Sequence, residues 1–332
     1  MPATMRDVAR QAGVSIKTVS RVVNNQGEIS ETTRQRVLSV ISELGYRPSR
    51  LARALVTQQT HTLGLVVSDI TNPYFPEMAR GVIDAAQARE YNVFVCNTDG
   101  NPLQECNLLE SLADHGVDGI IIYPTYSSDD NLKTFVTHYQ PVVIVNYNFK
   151  QVGASQIMVD HRRGVKLAVD YLVGKGHTAI AMLTGVQAPS LDQVRRIQGF
   201  REALTAHQLP VKPEWIVPGQ SPTIEWGCDG TKKLLKQYPQ VTAIFAYNDL
   251  LAIGALQACR ELRRRVPEDC AIIGFDDIIW AAQAIPPLTT IRVDKYNLGQ
   301  TATQRLLEML GHPADSFEPI YLDVALVVRE TT

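Results

Sequence analysis

The chain has 332 residues, too many for one simple core and enough for two or three domains. It is 45% hydrophobic and 20% charged, which excludes a disordered chain, and no apolar run is long enough to span a bilayer. The formal charge of −2 hides an asymmetry: residues 1–59 carry nine Lys/Arg against four Asp/Glu, so a head of +5 precedes a body of −7. A basic head on an acidic body points to a polyanionic partner for the head alone. The five cysteines (Cys96, Cys106, Cys228, Cys259, Cys270) are scattered, odd in number and without C-x-x-C spacing. That argues against a disulfide framework or a zinc knuckle and fits a reducing, cytoplasmic setting. No leader-like apolar run opens the chain, so secretion is not expected.

Residues 5–44 read as three short helices. Thr4 is a candidate cap for the first, Val8, Ala9 and Ala12 form its apolar stripe, and Gly13 stops it. Ser15 caps a second helix whose buried face is Val19, Val22 and Val23. Ser30 and Thr33 bracket the start of a third, lined by Val37, Leu38, Ile41 and Leu44 and ended by Gly45. The "AGVS" between the first two has the length and composition of a helix-turn-helix turn. Ile16, Lys17, Ser20, Arg21 and Asn24 fall away from the valine face. In that motif the second helix enters the major groove with its early residues toward base edges. Lys or Arg donates to guanine there, and Ile presses on a thymine methyl.

The stretch "MRDVARQAGVSIKTVSRVVNNQGEISETTRQRVLSVISELGYRPSRLARAL" carries D-V-A-x-x-A-G-V-S-x-x-T-V-S-R-V-x-N, then T-R-x-x-V and L-G-Y-x-P-x-x-x-A-R-x-L. It resembles the headpiece of the lactose/galactose repressor family of bacterial transcription regulators, and the similarity continues to the carboxyl terminus. The resemblance implies that Ile16 and Lys17 set operator specificity and that Arg21 also reads a base. Ser15, Thr18, Ser20 and Asn24 would hold phosphates or orient the helix, since phosphate contacts position and base contacts specify. Pro48 separates the head, 1–46, from a tether, 47–59, in which Arg50 and Arg53 alternate with Leu51, Ala54 and Leu55. Such a helix is too short to persist alone in water. In the family it forms when two copies pair across DNA, and Leu55 stands where a leucine wedges into the minor groove.

From residue 60 onward, apolar runs at 63–68, 92–97, 119–124, 141–146, 179–184, 243–248 and 270–275 alternate with helical stretches at 75–90, 103–115, 161–175, 192–207, 227–237 and 249–263. Runs this uniformly apolar read as parallel strands covered on both faces, and the alternation as β-α units. The expected fold is thus an all-α helix-turn-helix head followed by an α/β body of two parallel, doubly wound sheets. The resemblance makes that body periplasmic-binding-protein-like. The expected lobes are 60–160 with 292–321, and 161–291 with 322–332, with 289–293 and 320–328 crossing between them.

Ligands of such sheets bind beyond the carboxyl ends of strands. Those ends offer Asn72, Tyr74 and Phe75 in "SDITNPYFPEM", then Tyr123, Tyr126, Asn146, Tyr147, Asp160, Asn248, Asp249 and Asp276. The resemblance implies aromatic stacking on a sugar ring by Tyr74 and Phe75, hydroxyl contacts from Asn72, Asn248 and Asp276, and a role for the "RxxGF" beginning at Arg196. Three positions depart from the sugar pattern: Tyr126 replaces an Asp, Val194 an Arg (with Arg195 adjacent), and Val293 a Gln. A pocket and its ligand match in polarity. The departures therefore imply an effector with fewer hydroxyls than a free pentose, or one with an apolar portion, among sugars, sugar acids and related metabolites.

No phosphate-cradling G-x-G-x-x-G or G-x-x-x-x-G-K-[ST] loop occurs, the seven histidines lie at no metal spacing, and no G-x-S-x-G elbow is present. No enzymatic activity, cofactor or metal is expected. The resemblance implies an effector-controlled repressor working as a homodimer on a pseudo-palindromic operator. A ligand-dependent activator or dual regulator would read the same way in sequence, whereas a solute-binding receptor would share only the body. Tetrameric family members add a carboxyl-terminal leucine heptad, which "LVVRETT" does not supply, so a dimer is expected.

Overall fold

The computed structural model describes residues 3–24, 27–46, 59–124, 129–147, 154–185, 191–219, 221–311 and 318–332. The chain divides into two compact units, Met1–Thr60 and His61–Thr332. In the first, α1 (Met5–Ala12), α2 (Ile16–Val23) and α3 (Glu31–Glu43) surround a small core. The Asp7 amide N–H donates to the Thr4 hydroxyl, while the Asp7 carboxylate accepts the Thr4 amide N–H at 3.0 Å, a reciprocal cap. Gly13, at φ 64°, lets the Val14 amide donate back to the Ala9 carbonyl at 3.0 Å, closing α1 and turning the chain into α2. Ser15 then caps α2 by accepting the Thr18 amide N–H at 3.1 Å. Ser15→Ala is expected to cost about 1 kcal/mol of helix stability. Amide exchange should rise over α2 while the body stays unchanged.

The head core is Val8, Ala9, Ala12, Val19, Val22, Val37, Val40 and Tyr46. Two residues differ from the sequence expectation. Leu38 is 49% exposed and Val40 is buried in its stead, because positions three apart share a helix face whereas Leu38 lies a quarter-turn away from Val37. Val23 is only half-buried.

The second unit holds two six-stranded sheets. The first lobe runs β1 (Thr62–Val67), α4 (Tyr74–Gln87), β2 (Asn92–Asn97), α5 (Pro102–Asp114), β3 (Gly119–Ile122), α6 (Asp129–His138), β4 (Val142–Val145) and β5 (Ala154–Val159). After Asp160 the second lobe runs α7 (His161–Gly174), β6 (Ile180–Leu183), α8 (Leu191–Ala206), β7 (Ile216–Val217), α9 (Ile224–Gln237), β8 (Ala243–Ala246), α10 (Asp249–Glu261), β9 (Ala271–Asp276), α11 (Ile279–Gln283) and β10 (Thr289–Val293). The helix α12 (Lys295–Gly311) returns to the first lobe, followed by β11 (Ile320–Leu322) there and β12 (Val324–Val327) in the second.

Strand orders are β11-β5-β4-β3-β1-β2 and β12-β10-β9-β8-β6-β7, parallel except for β12 against β10. Each order reverses direction once, between β1 and β3 and between β6 and β8. A crevice opens beyond the strand ends at such points, which is where ligands of open α/β sheets bind. The first described residues after these four strands are Ser68, Tyr123, Thr184 and Tyr247.

Three expectations are corrected. The run 92–97 is an edge strand with Phe94 49% and Val95 42% exposed, not a strand covered on both faces, because nothing pairs with β2 beyond β1. The lobe crossings fall up to two residues later than 292 and 322. Arg292 and Val293 still pair with β12, and Leu322 still pairs with Val159. Finally, β5 is a central, fully buried strand that the sequence reading passed over, because Ser155 and Gln156 interrupt its apolar run. Among the described residues no helix is long and apolar enough to cross a membrane.

Candidate nucleic-acid interface and effector cleft

On α2 the side chains of Ile16 (45% exposed), Lys17 and Arg21 project into solvent, while Thr18, Ser20 and Asn24 are half-buried. The Ser15 and Thr18 hydroxyls lie 2.9 Å apart at the helix start, and the Asn24 side-chain amide donates to the Ser20 hydroxyl at 3.4 Å. The polar quartet therefore secures both ends of α2, leaving one long cation, a second cation and an apolar tip as the projecting set. Leu55 lies outside the described residues.

In the body the first lobe contributes three aromatic rings. The Asn72 side-chain carbonyl accepts the Tyr74 amide N–H at 3.1 Å, fixing the entry to α4 that carries Tyr74 and Phe75. Tyr123 follows β3. The rings meet edge-on, with centroids 5.2 Å apart for Tyr74–Phe75, 5.2 Å for Phe75–Tyr123 and 5.9 Å for Tyr74–Tyr123. Asn146, at φ 57° beyond β4, is buried and accepts the Val159 amide N–H at 2.7 Å. Its amide nitrogen donates to the Tyr123 hydroxyl at 3.0 Å.

That hydroxyl crosses the cleft. It donates to Asp192 on α8 at 2.5 Å, and the other Asp192 oxygen lies 3.0 Å from Nε2 of His161, the first residue of α7. The His161 Nδ1 accepts from Nε of Arg196 at 3.3 Å, which leaves the proton of a neutral imidazole on Nε2, the atom nearest Asp192. Arg196 is 3% exposed; it also donates to the Tyr247 carbonyl and to Asp276 at 3.4 Å. Its guanidinium packs 3.8 Å from the centroid of Phe275 and 4.4 Å from that of Tyr247. The result is one buried polar chain running from Asn146 in the first lobe to Asp276 in the second.

Burial governs the protonation of these groups. It holds the His161 imidazole below its usual range, aided by Arg196 and opposed by Asp192. It pushes the Asp192 carboxyl up, but His161, Arg196 and the Tyr123 bond outweigh it, so Asp192 stays below the ordinary carboxylate range. At Asp276 burial wins over Arg196 and Lys295 and raises the carboxyl to about 6. Both Tyr74 and Tyr123 are raised well above the usual phenol range, chiefly by burial, and remain neutral.

The other expected cleft residues are placed differently. Asp160 caps α7 by accepting the Arg163 amide N–H at 2.9 Å, and it lines an outward groove with Arg162, Arg163, Lys166 and Glu202. Asn248 caps α10 through the Leu251 amide N–H at 2.9 Å. Asp249 is buried and accepts from the Ile278 amide N–H at 2.8 Å and the Thr290 hydroxyl at 2.5 Å, a purely internal role. Arg195 is half-buried beside the group, near enough for its charge to oppose protonation of His161. Tyr126 lies outside the described residues.

Sequence reading missed His161 and Asp192. Two signals pointed to them: Asp192 stands four residues before Arg196, one helical turn on the same face, and His161 directly follows the expected lobe boundary at 160.

Residues 4–49 match the family described as bacterial regulatory proteins, lacI family, and residues 169–332 match a periplasmic binding protein-like domain. The ribose operon repressor of Haemophilus influenzae is 34% identical over 332 residues, covering 99% of this chain and 98% of that protein. A structure of the Lac repressor dimer bound to operator and the anti-inducer ONPF superposes with a TM-score of 0.89 at 30% identity, over 100% of this chain and 99% of that one. A regulator from Enterococcus faecium with bound ribose superposes with a TM-score of 0.74 at 31% identity, over 82% of this chain and 98% of that one. Head, body and relatives agree over the whole length: the chain belongs to the LacI family of bacterial regulatory proteins.

Proposed function

We propose that the protein is a cytoplasmic transcriptional repressor that binds a pseudo-palindromic operator as a homodimer and is controlled by a small-molecule effector in the cleft between its lobes. The observation that carries this reading is the exposed Ile16–Lys17–Arg21 face on a helix capped at both ends, in the second position of a helix-turn-helix. One head offers limited contact area, and two-fold symmetry doubles it on a palindrome. Five free cysteines support a reducing compartment.

For the effector, Tyr74, Phe75 and Tyr123 supply an aromatic wall, and Arg196, Asp276 and Asp192 supply polar groups opposite it. That combination favours a ligand with an apolar face and few hydroxyls. The effector acts by preferring one arrangement of the lobes, and its differential affinity sets the change in operator binding.

Footprinting of the purified protein on the DNA upstream of its own gene tests the reading; absence of any protected palindrome there and in a selected random pool would overturn it. In the same assay Lys17→Ala is expected to relax preference at one base pair by about 1–3 kcal/mol, leaving general affinity for DNA largely intact. Uniform weakening on all sequences would instead make Lys17 a phosphate contact.

A further inference from the structure

Lys295, the first residue of α12, is 1% exposed, and its ammonium donates to three backbone carbonyls: Asp276 at 2.6 Å, Asp277 at 2.9 Å and Val293 at 3.2 Å. A fourth partner, the Glu77 carboxylate on α4, lies 3.4 Å away. Asp276 and Asp277 have φ 111° and 52°, a pair of successive positive values that side-chain-bearing residues rarely adopt. This turn sends two adjacent carboxylates to different places. Asp276 meets Arg196 in the cleft, whereas Asp277 accepts from Arg292 at 2.7 Å and Arg329 at 2.6 Å.

The lysine belongs to the opposite lobe from the turn that it grips. Its helix α12 packs against α4 with no room to shift: a Cβ on Gly81 would lie 2.1 Å from the Tyr296 carbonyl oxygen, and one on Gly299 would lie 2.1 Å from that of Met78. The helix α4 also carries Tyr74, Phe75 and Glu77. One ammonium thus connects the aromatic wall's helix to the turn that aims Asp276.

We infer that Lys295 is a positioning residue: it holds the strained 276–277 turn so that Asp276 faces the cleft, and it ties that turn to the α4–α12 pair of the first lobe. An ammonium suits the task because its three protons match three converging carbonyls, and charge-assisted bonds outweigh the strain of the turn. The functional importance of this tie rests on the reading of Asp276 as an effector contact; the tie itself does not.

The test uses the full-length protein without any effector, so its outcome is separate from that reading. In Lys295→Met, hydrogen exchange of the amides at 276–278 is expected to rise by at least about tenfold, the scale of losing charge-assisted bonds, with α7 and the first-lobe sheet unchanged. The Asp276 carboxyl, faced by Arg196, Lys295, Asp192, Asp249 and Tyr74, should titrate above its value of about 6 in a carbon-13 spectrum, because one of its two cations is gone. Glu77→Gln, at a partly exposed site, should raise exchange at the same amides by a smaller factor and serves if Lys295→Met does not fold. An unmoved Asp276 titration, or extra exchange spread evenly over both sheets, would overturn the assignment. So would a Glu77→Gln protein with unaltered exchange at 276–278.

Discussion

Arg196→Met is expected to destabilise the body by about 3–5 kcal/mol, because it takes from buried Asp276 the one cation that bonds its carboxylate directly, leaving only the more distant charge of Lys295. Methionine keeps length and apolar bulk against Phe275 and Tyr247, so the loss reports on the polar bonds rather than on a cavity. Three bonds disappear together: to the Tyr247 carbonyl, to His161 and to Asp276. A shift of the urea midpoint at constant slope measures the effect. The double variant Arg196→Met with Asp276→Asn should recover part of the loss, since the orphaned carboxylate is then neutral. If the two losses instead add, Arg196 and Asp276 do not act as a pair, and the polar chain across the cleft does not hold as a unit.

The second large effect is a pH dependence set by Asp276. Its carboxyl rises from 3.8 to about 6 on folding, with burial as the main cause. Between those values the native state keeps a proton that the unfolded chain has lost, so stability falls as pH rises. The contribution is fully present below about pH 4, is lost above about pH 6, and amounts to about 3 kcal/mol. Asp192 acts in the opposite sense, because its carboxyl is held below the ordinary range. The clean measurement is therefore the difference in stability between the wild type and Asp276→Asn across pH 4 to 7. That difference should move in favour of the asparagine variant as pH rises. A flat difference would place Asp276 in solvent rather than in a closed cleft.

The closed cleft also explains how much of the site could be read in advance. Asn72, Tyr74, Phe75 and Asp276 are expected effector contacts because each sits at a strand end or helix start, whereas Arg196, inside α8, is expected from its R-x-x-G-F pattern. Asn248 and Asp160 carry the same marks, and like Asn72 both bond amides in the first turn of the following helix, since an Asn or Asp before a helix serves those amides equally well. Local pattern does not separate a cap from a ligand contact. Only the positions of neighbouring elements do.

By itself the sequence determined the head: its caps, its turn and its valine face depend on residues within a few positions of one another, where helical geometry alone dictates which side chains share a side. It also determined the alternation of strands and helices in the body, because continuous apolar runs demand cover on both faces. Tertiary structure alone decided that β2 lies at an edge, that Ser155 and Gln156 belong to a buried strand, and that His161 and Asp192 join Tyr123 across two lobes. The Tyr123–Asp192 bond joins residues 69 positions apart, and the Arg196–Asp276 bond joins residues 80 apart. The energy of such contacts comes from burial, which raises the strength of each bond and the penalty for each unpaired group. Burial belongs to the assembled sheets and not to any local stretch of chain.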